Sequence, residues 1–278
     1  MMATLAPRLI DRPLVSDDRA TTSFRPLKAW RHFRQLVRDK EDTEQVFHII
    51  EAMKSKASHK QAWDFIASEN GQRFLRDEVD IPAMLDDHAR WADCGPDSVA
   101  QHYIRFMKRE GLSAAGLVEE SHKWLPEDER PQDLTEWYFT RLRDTHDLFH
   151  VLTGYGRDAL GEAALLGFSY EQNHNLGIKF IAYAGANEIR KATRTKAPVF
   201  AAIREGRELG RNADKLAHMD VEQVMREDIS DARERLNIGK PVIYRECLAQ
   251  LEREGHGRDE LMAPSSKADP AECCAKAV

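Results

Sequence analysis

Four side chains that can bind a metal ion lie within one short stretch, residues 143–162 (RDTHDLFHVLTGYGRDALGE). His146 and His150 are four residues apart, so a helix would project both imidazoles from one face, with Asp147 beside them. Two glycines then interrupt the pattern, and an antiparallel return helix could aim the Glu162 carboxylate back at the imidazoles. This nitrogen and oxygen set suits zinc, our first expectation, with iron, manganese or magnesium as alternatives.

The same spacing also has an ordinary structural interpretation. Asp147 could pair with Arg143 or Arg157, Glu162 could lie on a helix surface, and a histidine pair at helical spacing is common in helical proteins. The neighbours of the histidines are apolar: Leu148, Phe149, Val151 and Leu152. They predict a buried helix, and buried carboxylates are rarely left unpaired and often coordinate metals.

The elements that must position these residues are predicted to be helices. The chain has 278 residues, 32% of them charged and only 15 of them glycine. Apolar residues recur at spacings of three and four, and alternating strand patterns are hard to find. This profile predicts an all-α fold, a single multi-helix domain with the metal site between two adjacent helices.

Charge and hydropathy exclude several classes of protein. No run of eighteen apolar residues could span a bilayer. The net charge of −6 gives no reason to expect nucleic-acid binding. The first two dozen residues lack an apolar signal core, and Asp11 and Asp17 argue against a mitochondrial transit peptide. We therefore expect a cytoplasmic protein that contacts the inner face of the membrane peripherally at most.

Three regions are predicted along the chain. Residues 1–24 are polar and rich in proline and are predicted to be disordered, residues 25–254 form the helical domain, and residues 255–278 form a disordered tail. The first helix, near Leu27–Arg38, has an apolar stripe and is otherwise basic. Such a helix can pack on the core or lie on an anionic membrane, and core packing is the commoner case.

The remaining helix boundaries follow from caps and helix breakers. The pair Asn70–Gly71 is predicted to break the chain, and residues 124–133 to form a loop. Further helices are predicted at 43–53 with Thr43 as the cap, 60–68, 81–94, 98–110, through the histidines, 157–190, 198–210, 221–236 and from Pro241 onward.

The motif and its flanks resemble one known family. HDLFH, followed after eleven residues by Glu162, matches the HDxxH-x11-E signature of the coenzyme Q biosynthesis protein 4 family, which serves ubiquinone synthesis. Similar blocks are RPLKAWRHFRQLVRDKEDTEQVF at 25–47, HDLFHVLTGYGRDALGEAALLGFSYEQ at 146–172 and ERLNIGKP at 234–241. The resemblance covers about Arg25 to Ala249 and is that of a bacterial-type member.

The resemblance implies a function and a set of partners. It implies that His146, Asp147, His150 and Glu162 bind the metal and carry catalysis, the removal, in an oxidative form, of the ring carboxylate of a polyprenylated benzoate. Partners would be this quinone precursor and other ubiquinone biosynthesis enzymes, with a homodimer as one oligomeric state. The small residues of the 157–190 run have two interpretations, close packing of helices and an apolar groove for an isoprenoid tail. The resemblance favours the groove. The expected groove residues are Gly167, Phe168, Gly177, Ile181, Ala182 and Gly185.

Two other functions use the same residues. The helices could form a non-catalytic, lipid-binding scaffold that organises biosynthetic enzymes, with the metal as a structural clamp. An HD-type phosphohydrolase is a weaker alternative, because that family needs a separate upstream histidine and a distant aspartate. Turnover by the isolated protein separates the enzyme from the scaffold.

Overall fold

The computed structural model describes residues 8–17, 19–39, 42 and 44–257. Within these ranges the chain forms one all-α domain with no β-strand, which confirms the predicted fold class. The helices are α1 (Pro26–Arg38), α2 (Glu44–Ala52), α3 (Lys56–Ala67), α4 (Glu69–Asp77), α5 (Ile81–Asp86), α6 (Val99–Glu110), α7 (Ala114–Trp124), α8 (Leu134–Asp144), α9 (His146–Thr153), α10 (Ala159–Asn173), α11 (Leu176–Thr193), α12 (Val199–Asn212), α13 (Val221–Arg226), α14 (Ile229–Arg235) and α15 (Val242–Arg253).

Helix α10 lies at the centre of the domain and packs against α11 and α12. Glycines of α12 let the two backbones approach closely. A Cβ at Gly206 would lie 2.3 Å from the carbonyl oxygen of Ala164, and one at Gly210 would lie 2.4 Å from that of Phe168. No larger side chain fits at either position without moving a helix, so these glycines fix α10, the helix that carries Glu162.

Two smaller apolar clusters flank the central core. One surrounds Phe65 and joins α3, α4 and α8. The other surrounds Phe33 and joins α1, α2 and α11. The α1 helix buries Ala29 and Phe33 in this second cluster and leaves Leu27 and Trp30 exposed. Its apolar stripe is therefore divided between the core and the surface.

The described residues before α1 contact α8. A 3₁₀ turn spans Leu9–Asp11, and the backbone N–H of Leu134 donates to the carbonyl of Pro13. The Arg19 guanidinium binds the Asp133 carboxylate at 2.7 Å, and both side chains are almost fully buried. These contacts attach residues 9–17 and Arg19 to α8. Residues 1–7 and 258–278 lie outside the described residues.

Several predicted helices are divided by breaks that the apolar pattern does not show. The 157–190 run separates into α10 and α11 at His174, which adopts a left-handed conformation with φ 55°. The predicted break at Asn70–Gly71 is wrong, because the Ser68 side chain caps α4 and the helix runs through both residues. Helix α6 begins at the Ser98 cap and ends before Gly111, as predicted. Thr43, the predicted cap of α2, lies outside the described residues. Among the described helices, none is both long and apolar enough to cross a membrane.

Candidate metal centre and its cavity

The four residues of the motif meet between α9 and α10. His146 begins α9, Asp147 and His150 lie on the same helix, and Glu162 lies in the first turn of α10. Donor atoms of His146, Asp147 and His150 lie within 4.8 Å of one another. The Glu162 carboxylate lies 3.8 Å from Nε2 of His146 and 3.3 Å from Nε2 of His150. The structure therefore brings together all four side chains that the spacing singled out.

A short turn held by hydrogen bonds returns the chain from α9 to α10. Gly154 ends α9 in the left-handed region with φ 79°, a conformation that favours glycine. The Asp158 carboxylate caps α10 by accepting from the N–H of Gly161 at 2.9 Å. The Tyr244 hydroxyl of α15 donates to the other oxygen of Asp158 at 2.6 Å, and it accepts from the N–H of Gly156. These contacts fix the start of α10, and with it the position of Glu162.

The environment of His150 leaves one ring nitrogen directed at the site. Its Nδ1–H donates to the carbonyl of Tyr155 at 3.1 Å. Its Nε2 is buried and has no aligned hydrogen bond in the described chain; the 3.3 Å approach to Glu162 is an ion-pair contact only. Metal-binding histidines usually donate their second ring N–H to a carbonyl or carboxylate in this way, which orients the ring. An otherwise unsatisfied buried nitrogen is thus presented to the centre of the cluster.

The charges of the cluster are strongly coupled. Burial alone would raise the pKa of Glu162, but His150, His146 and Arg157 lower it to about 2. Burial and the neighbouring His150 lower the pKa of His146. Burial alone would lower the pKa of His150, yet the Glu162 carboxylate raises it above its ordinary value. The Glu162 carboxylate and the His150 imidazole therefore shift each other's pKa in opposite directions, as the two groups of an ion-pair contact do.

The sequence suggested that Asp147 could pair with Arg143 or Arg157, and neither ion pair forms among the described residues. Arg143 binds Asp144 and the hydroxyl of Ser121 instead. Arg157 lies 3.7 Å from the Glu162 carboxylate rather than beside Asp147. The Asp147 side chain, only 9% exposed, faces the two imidazoles.

The donor set fits a divalent metal ion. The donor atoms of a tetrahedral ion with bonds of about 2 Å lie about 3.3 Å apart, so donors within 4.8 Å of one another would need to draw in by about 1.5 Å or less. Two imidazoles and two carboxylates are the ligands of zinc and iron sites in proteins. The unsatisfied Nε2 of His150 is the strongest sign of fit, since a buried polar atom without a partner is destabilising.

The cluster lies on the wall of a large, partly open cavity of about 1570 Å³. His146, Asp147, Arg157 and Glu162 line the part of it that we call the metal end. The accessible part of the His146 and Glu162 side chains, 30% and 32%, faces the cavity. Most of the wall is apolar, from α1, α7, α8, α10 and α11, and includes Phe33, Leu36, Leu117, Phe139, Leu166 and Ile181. The cavity exceeds the roughly 300–1,000 Å³ of a typical small-molecule pocket.

Two of the six predicted groove residues line this cavity. They are Ile181 and Gly185 of α11. Gly185 has room beside it, because the nearest atom to a Cβ built there is the Cβ of Ala163 at 4.0 Å. Gly185 is therefore the position where a larger side chain would enter the cavity.

The other four predicted groove residues serve helix packing, which corrects their assignment. A Cβ at Gly167 would lie 2.9 Å from the carbonyl oxygen of Ile203, and one at Gly177 would lie 2.7 Å from Cα of Ile50. Phe168 and Ala182 are fully buried in the main core. Small residues in α10 and α11 thus mark both close packing and the cavity wall, and spacing alone could not separate the two.

The central part of the chain matches a known family profile. The profile described as coenzyme Q (ubiquinone) biosynthesis protein Coq4 matches residues 34–242, which include all four residues of the metal cluster. This chain belongs to the Coq4 family.

Curated members of the Coq4 family are distant relatives. The chain is 25% identical over 190 residues to the mitochondrial ubiquinone biosynthesis protein coq4 of Botryotinia fuckeliana, covering 68% of this chain and 64% of that protein. It is 26% identical over 198 residues to the protein of the same name from Pyrenophora tritici-repentis, covering 70% and 64%. The chain therefore spans less than two thirds of the length of these relatives.

One solved structure shares the fold. A crystal structure of a candidate ubiquinone biosynthesis protein from Nostoc punctiforme PCC 73102 superposes with a TM-score of 0.57 at 20% sequence identity. The match covers 78% of this chain and 100% of that one. It supports the helical architecture of this Coq4 member.

Sequence reasoning missed most of the cavity wall of this Coq4 member. Phe33 of α1, Leu117 of α7 and Phe139 of α8 all line it, yet none was proposed. Arg157, the cation at the metal end, was considered only as a partner for Asp147. The apolar stripe of α1 was a usable signal, but nothing in the sequence showed which helices would surround one space.

Proposed function

We propose that this chain acts in ubiquinone biosynthesis as a metal-dependent enzyme that removes the ring carboxylate of a polyprenylated hydroxybenzoate. One observation carries the proposal: two imidazoles and two carboxylates converge on the wall of a large, mostly apolar cavity. A substrate with a polar aromatic head and a long apolar tail matches that division of polarity.

The residues of the cluster have distinct roles in this proposal. His146, Asp147, His150 and Glu162 hold a divalent ion, with zinc the first expectation. The carbonyl of Tyr155 keeps Nε2 of His150 free for the ion by accepting from Nδ1–H. When bound, the ion would supply a positive charge that holds the substrate carboxylate and stabilises negative charge developing on the ring.

Arg157 and the apolar walls support the same chemistry. Arg157 is half-buried beside Glu162 and lines the cavity, so its guanidinium can bind an anionic oxygen of the head group. The apolar walls exclude water from the head group, which strengthens these charge interactions. Cleavage of the ring–carboxylate bond releases carbon dioxide. The ring carbon then gains a proton or, in the oxidative form, a hydroxyl: dioxygen supplies its oxygen atom, and the second oxygen atom is reduced to water by two electrons and two protons from an added two-electron reductant.

The test is turnover by the isolated protein with a short-chain prenylated hydroxybenzoate and added metal. We expect carbon dioxide release by the wild type and none by His150→Ala or Glu162→Gln. Glu188→Gln is a matched control, because Glu188 also lines the cavity but pairs with Lys191. If the wild type binds metal and substrate yet releases no carbon dioxide under any oxidant supplied, the enzymatic proposal is wrong.

A lipid-binding scaffold is the second candidate function. Its support is the extent of the cavity, which continues from the metal end to Arg19 and His59 and could enclose a long tail without any reaction. In this case the ion would clamp α9 to α10. Stable binding of a polyprenyl lipid together with the absence of turnover would favour the scaffold.

The location and partners of this chain remain predictions. The two fungal Coq4 relatives are themselves named mitochondrial proteins. A cytoplasmic location, contact with other ubiquinone biosynthesis enzymes and a homodimer are expected from the sequence. Fractionation and sedimentation measurements on the full chain would test each of them.

A further inference from the structure

A second polar region of the cavity wall lies near the start of α3. Ser58 and His59 line the cavity, and each is only 1% exposed. Oγ of Ser58 and Nε2 of His59 have no hydrogen-bond partner among the described residues. Buried polar atoms are normally hydrogen-bonded, so two unpaired ones on a cavity wall indicate a position where a ligand binds. We call these two residues the α3 subsite.

The surroundings of His59 make its Nε2 a hydrogen-bond acceptor. Nδ1–H donates to the carbonyl of Ser55 at 3.1 Å, which leaves Nε2 with a lone pair when the ring is neutral. Burial lowers the pKa of His59, so the ring is neutral at pH 7. The ring packs edge-on against Trp63 and Phe139, at centroid distances of 6.3 and 5.6 Å, and these contacts orient it. A ligand that pairs with His59 must therefore supply a donor.

Helix α10 connects the α3 subsite with the metal end of the cavity. Glu162, Ser169 and Asn173 line the cavity at successive spacings of seven and four residues, so they share one face of α10. Eleven residues, or about 16 Å of helix, separate Glu162 from Asn173. The Ser55 hydroxyl, which caps α3, donates to the carbonyl of His174 at 2.8 Å. The α3 subsite therefore lies beside the opposite end of α10 from the metal cluster.

The charged side chains nearest the α3 subsite are already paired. Arg19 lines the cavity and binds the Asp133 carboxylate at 2.7 Å. Lys54 also lines the cavity and binds Glu51 at 2.6 Å. Paired charges have little left to offer an ion, so the subsite suits a neutral hydrogen-bonding group. A hydroxyl group is such a group, and it can donate one hydrogen bond and accept another.

We propose that the α3 subsite binds the hydroxyl group of an amphipathic alcohol whose apolar chain lies in the middle of the cavity. The alcohol O–H would donate to Nε2 of His59, and its oxygen would accept from the hydroxyl of Ser58. Phe139, Leu166 and Ile178 line the cavity and would contact the chain. This inference concerns a site other than the metal cluster, and it does not rest on the proposed function.

Displacement of a bound fluorescent lipid probe from the full chain tests the proposal with two ligands, 1-decanol and decyl methyl ether. The ether keeps the chain and the oxygen acceptor but lacks the donor that His59 needs. The measured quantity is the ratio of the affinities for the alcohol and the ether. Comparing this ratio between wild type and variants cancels the different hydration of the two ligands.

Variants of the α3 subsite separate its acceptor from its donor. His59→Phe keeps an aromatic ring but removes the acceptor, so the affinity ratio should fall about fivefold, the effect of one hydrogen bond. Ser58→Ala removes a donor to both ligands and should weaken both. His48→Phe is the matched control, because His48 also lines the cavity but its ring nitrogens contact Glu44 and Trp124. An equal ratio in wild type and His59→Phe would mean that only water occupies the subsite and would overturn the proposal.

Two further measurements keep the test decisive if His59→Phe proves unstable in thermal unfolding. In the wild type, 1-decanol should change the nitrogen chemical shift of Nε2 of His59, and the ether should not. Equal responses to the two ligands would contradict the proposal. In Glu162→Gln, a metal-cluster variant, the affinity ratio should stay at the wild-type value, which separates this test from that of the proposed function. A ratio that falls in Glu162→Gln but not in His59→Phe would place the hydroxyl at the metal end and overturn the proposal.

Discussion

Two buried charged clusters in this protein differ in how completely their polar atoms are satisfied. In the cluster of Arg19 and Asp133, one carboxylate accepts from the guanidinium, from the N–H and hydroxyl of Ser16 and from the N–H of Glu136. In the metal cluster, Nε2 of His150 has no aligned hydrogen bond within the described chain. The first cluster is complete as it stands, and the second is not.

The difference distinguishes a structural role from a ligand-binding one. A fully paired buried ion pair has nothing left to offer a ligand, and breaking it leaves an uncompensated charge. An incompletely paired cluster on a cavity wall retains donors for an ion or substrate. Substitutions in the first cluster should therefore change stability, and substitutions in the second should change binding and chemistry.

The largest expected effect is in the metal cluster. His150→Ala or Glu162→Gln should lower metal affinity by more than about 100-fold, since even the loss of a supporting residue costs 10–100-fold. Metal analysis after dialysis measures this. The same variants should retain most of the fold, because the apolar core is formed by other residues and Glu162 is partly exposed, although His150→Ala removes the stacking of its ring on Phe106. Unfolding of either variant would show that the ion mainly stabilises the fold. The metal cluster would then have the same structural role as the cluster of Arg19 and Asp133.

The next largest effect should appear in the stability of Asp133→Asn. This change leaves Arg19 buried without its principal partner and should cost about 3 kcal/mol of unfolding free energy, measured by urea denaturation. Metal content should not change. Asp80→Asn is the control, because Asp80 also caps a helix but is exposed. Similar losses at both positions would mean that capping, rather than the buried ion pair, determines the result.

A smaller effect is expected from narrowing the cavity. Gly185→Leu should reduce binding of a polyprenyl lipid by roughly tenfold, because the new side chain points into open space beside Ala163 and would occupy part of the tail region. Asn187→Leu, on the same helix, is the control. Fluorescence displacement of a bound lipid probe measures both. Metal content should stay unchanged, and full lipid binding by a folded Gly185→Leu protein would place the tail elsewhere.

The smallest effect is a pH dependence of the structural cluster. Burial alone would raise the pKa of Asp133, but hydrogen bonds from Arg19 and from two backbone N–H groups lower it. In the unfolded chain the pKa of an aspartate is about 4, and in the folded protein the pKa of Asp133 is lower. The charge of Asp133 therefore stabilises the fold fully above about pH 4, and this stabilisation is lost as the pH falls through the pKa of the folded state. The stability difference between wild type and Asp133→Asn should shrink over that window. A difference that stays constant in acid would mean that the charge of Asp133 contributes little.

The parts of the fold that the sequence predicted are those set by local interactions. The metal cluster joins adjacent helices through one short turn, so spacing alone located all four side chains. Helix α6 was predicted because Ser98 caps it and Gly111 ends it. The breaks at His174 and between α13 and α14 were missed, because no proline or glycine marks them.

The parts that were not predicted depend on contacts between distant segments. Arg19 and Asp133 are 114 residues apart, and nothing local indicates that they pair. The cavity wall combines α1, α7, α8 and α11, so its residues could not be distinguished from ordinary core. Gly167 and Gly185 look alike in the sequence, yet one contacts the α12 backbone and the other faces the cavity.

Metal analysis of protein purified without added metal or chelator tests the proposed metal centre most directly. We expect about one equivalent of a divalent ion per wild-type chain, retained in Asp133→Asn and absent from His150→Ala. Wild-type protein that holds no ion even after equilibration with zinc, iron(II), manganese or magnesium would contradict the metal centre. An equal metal content in wild type and His150→Ala would contradict the assignment of these ligands.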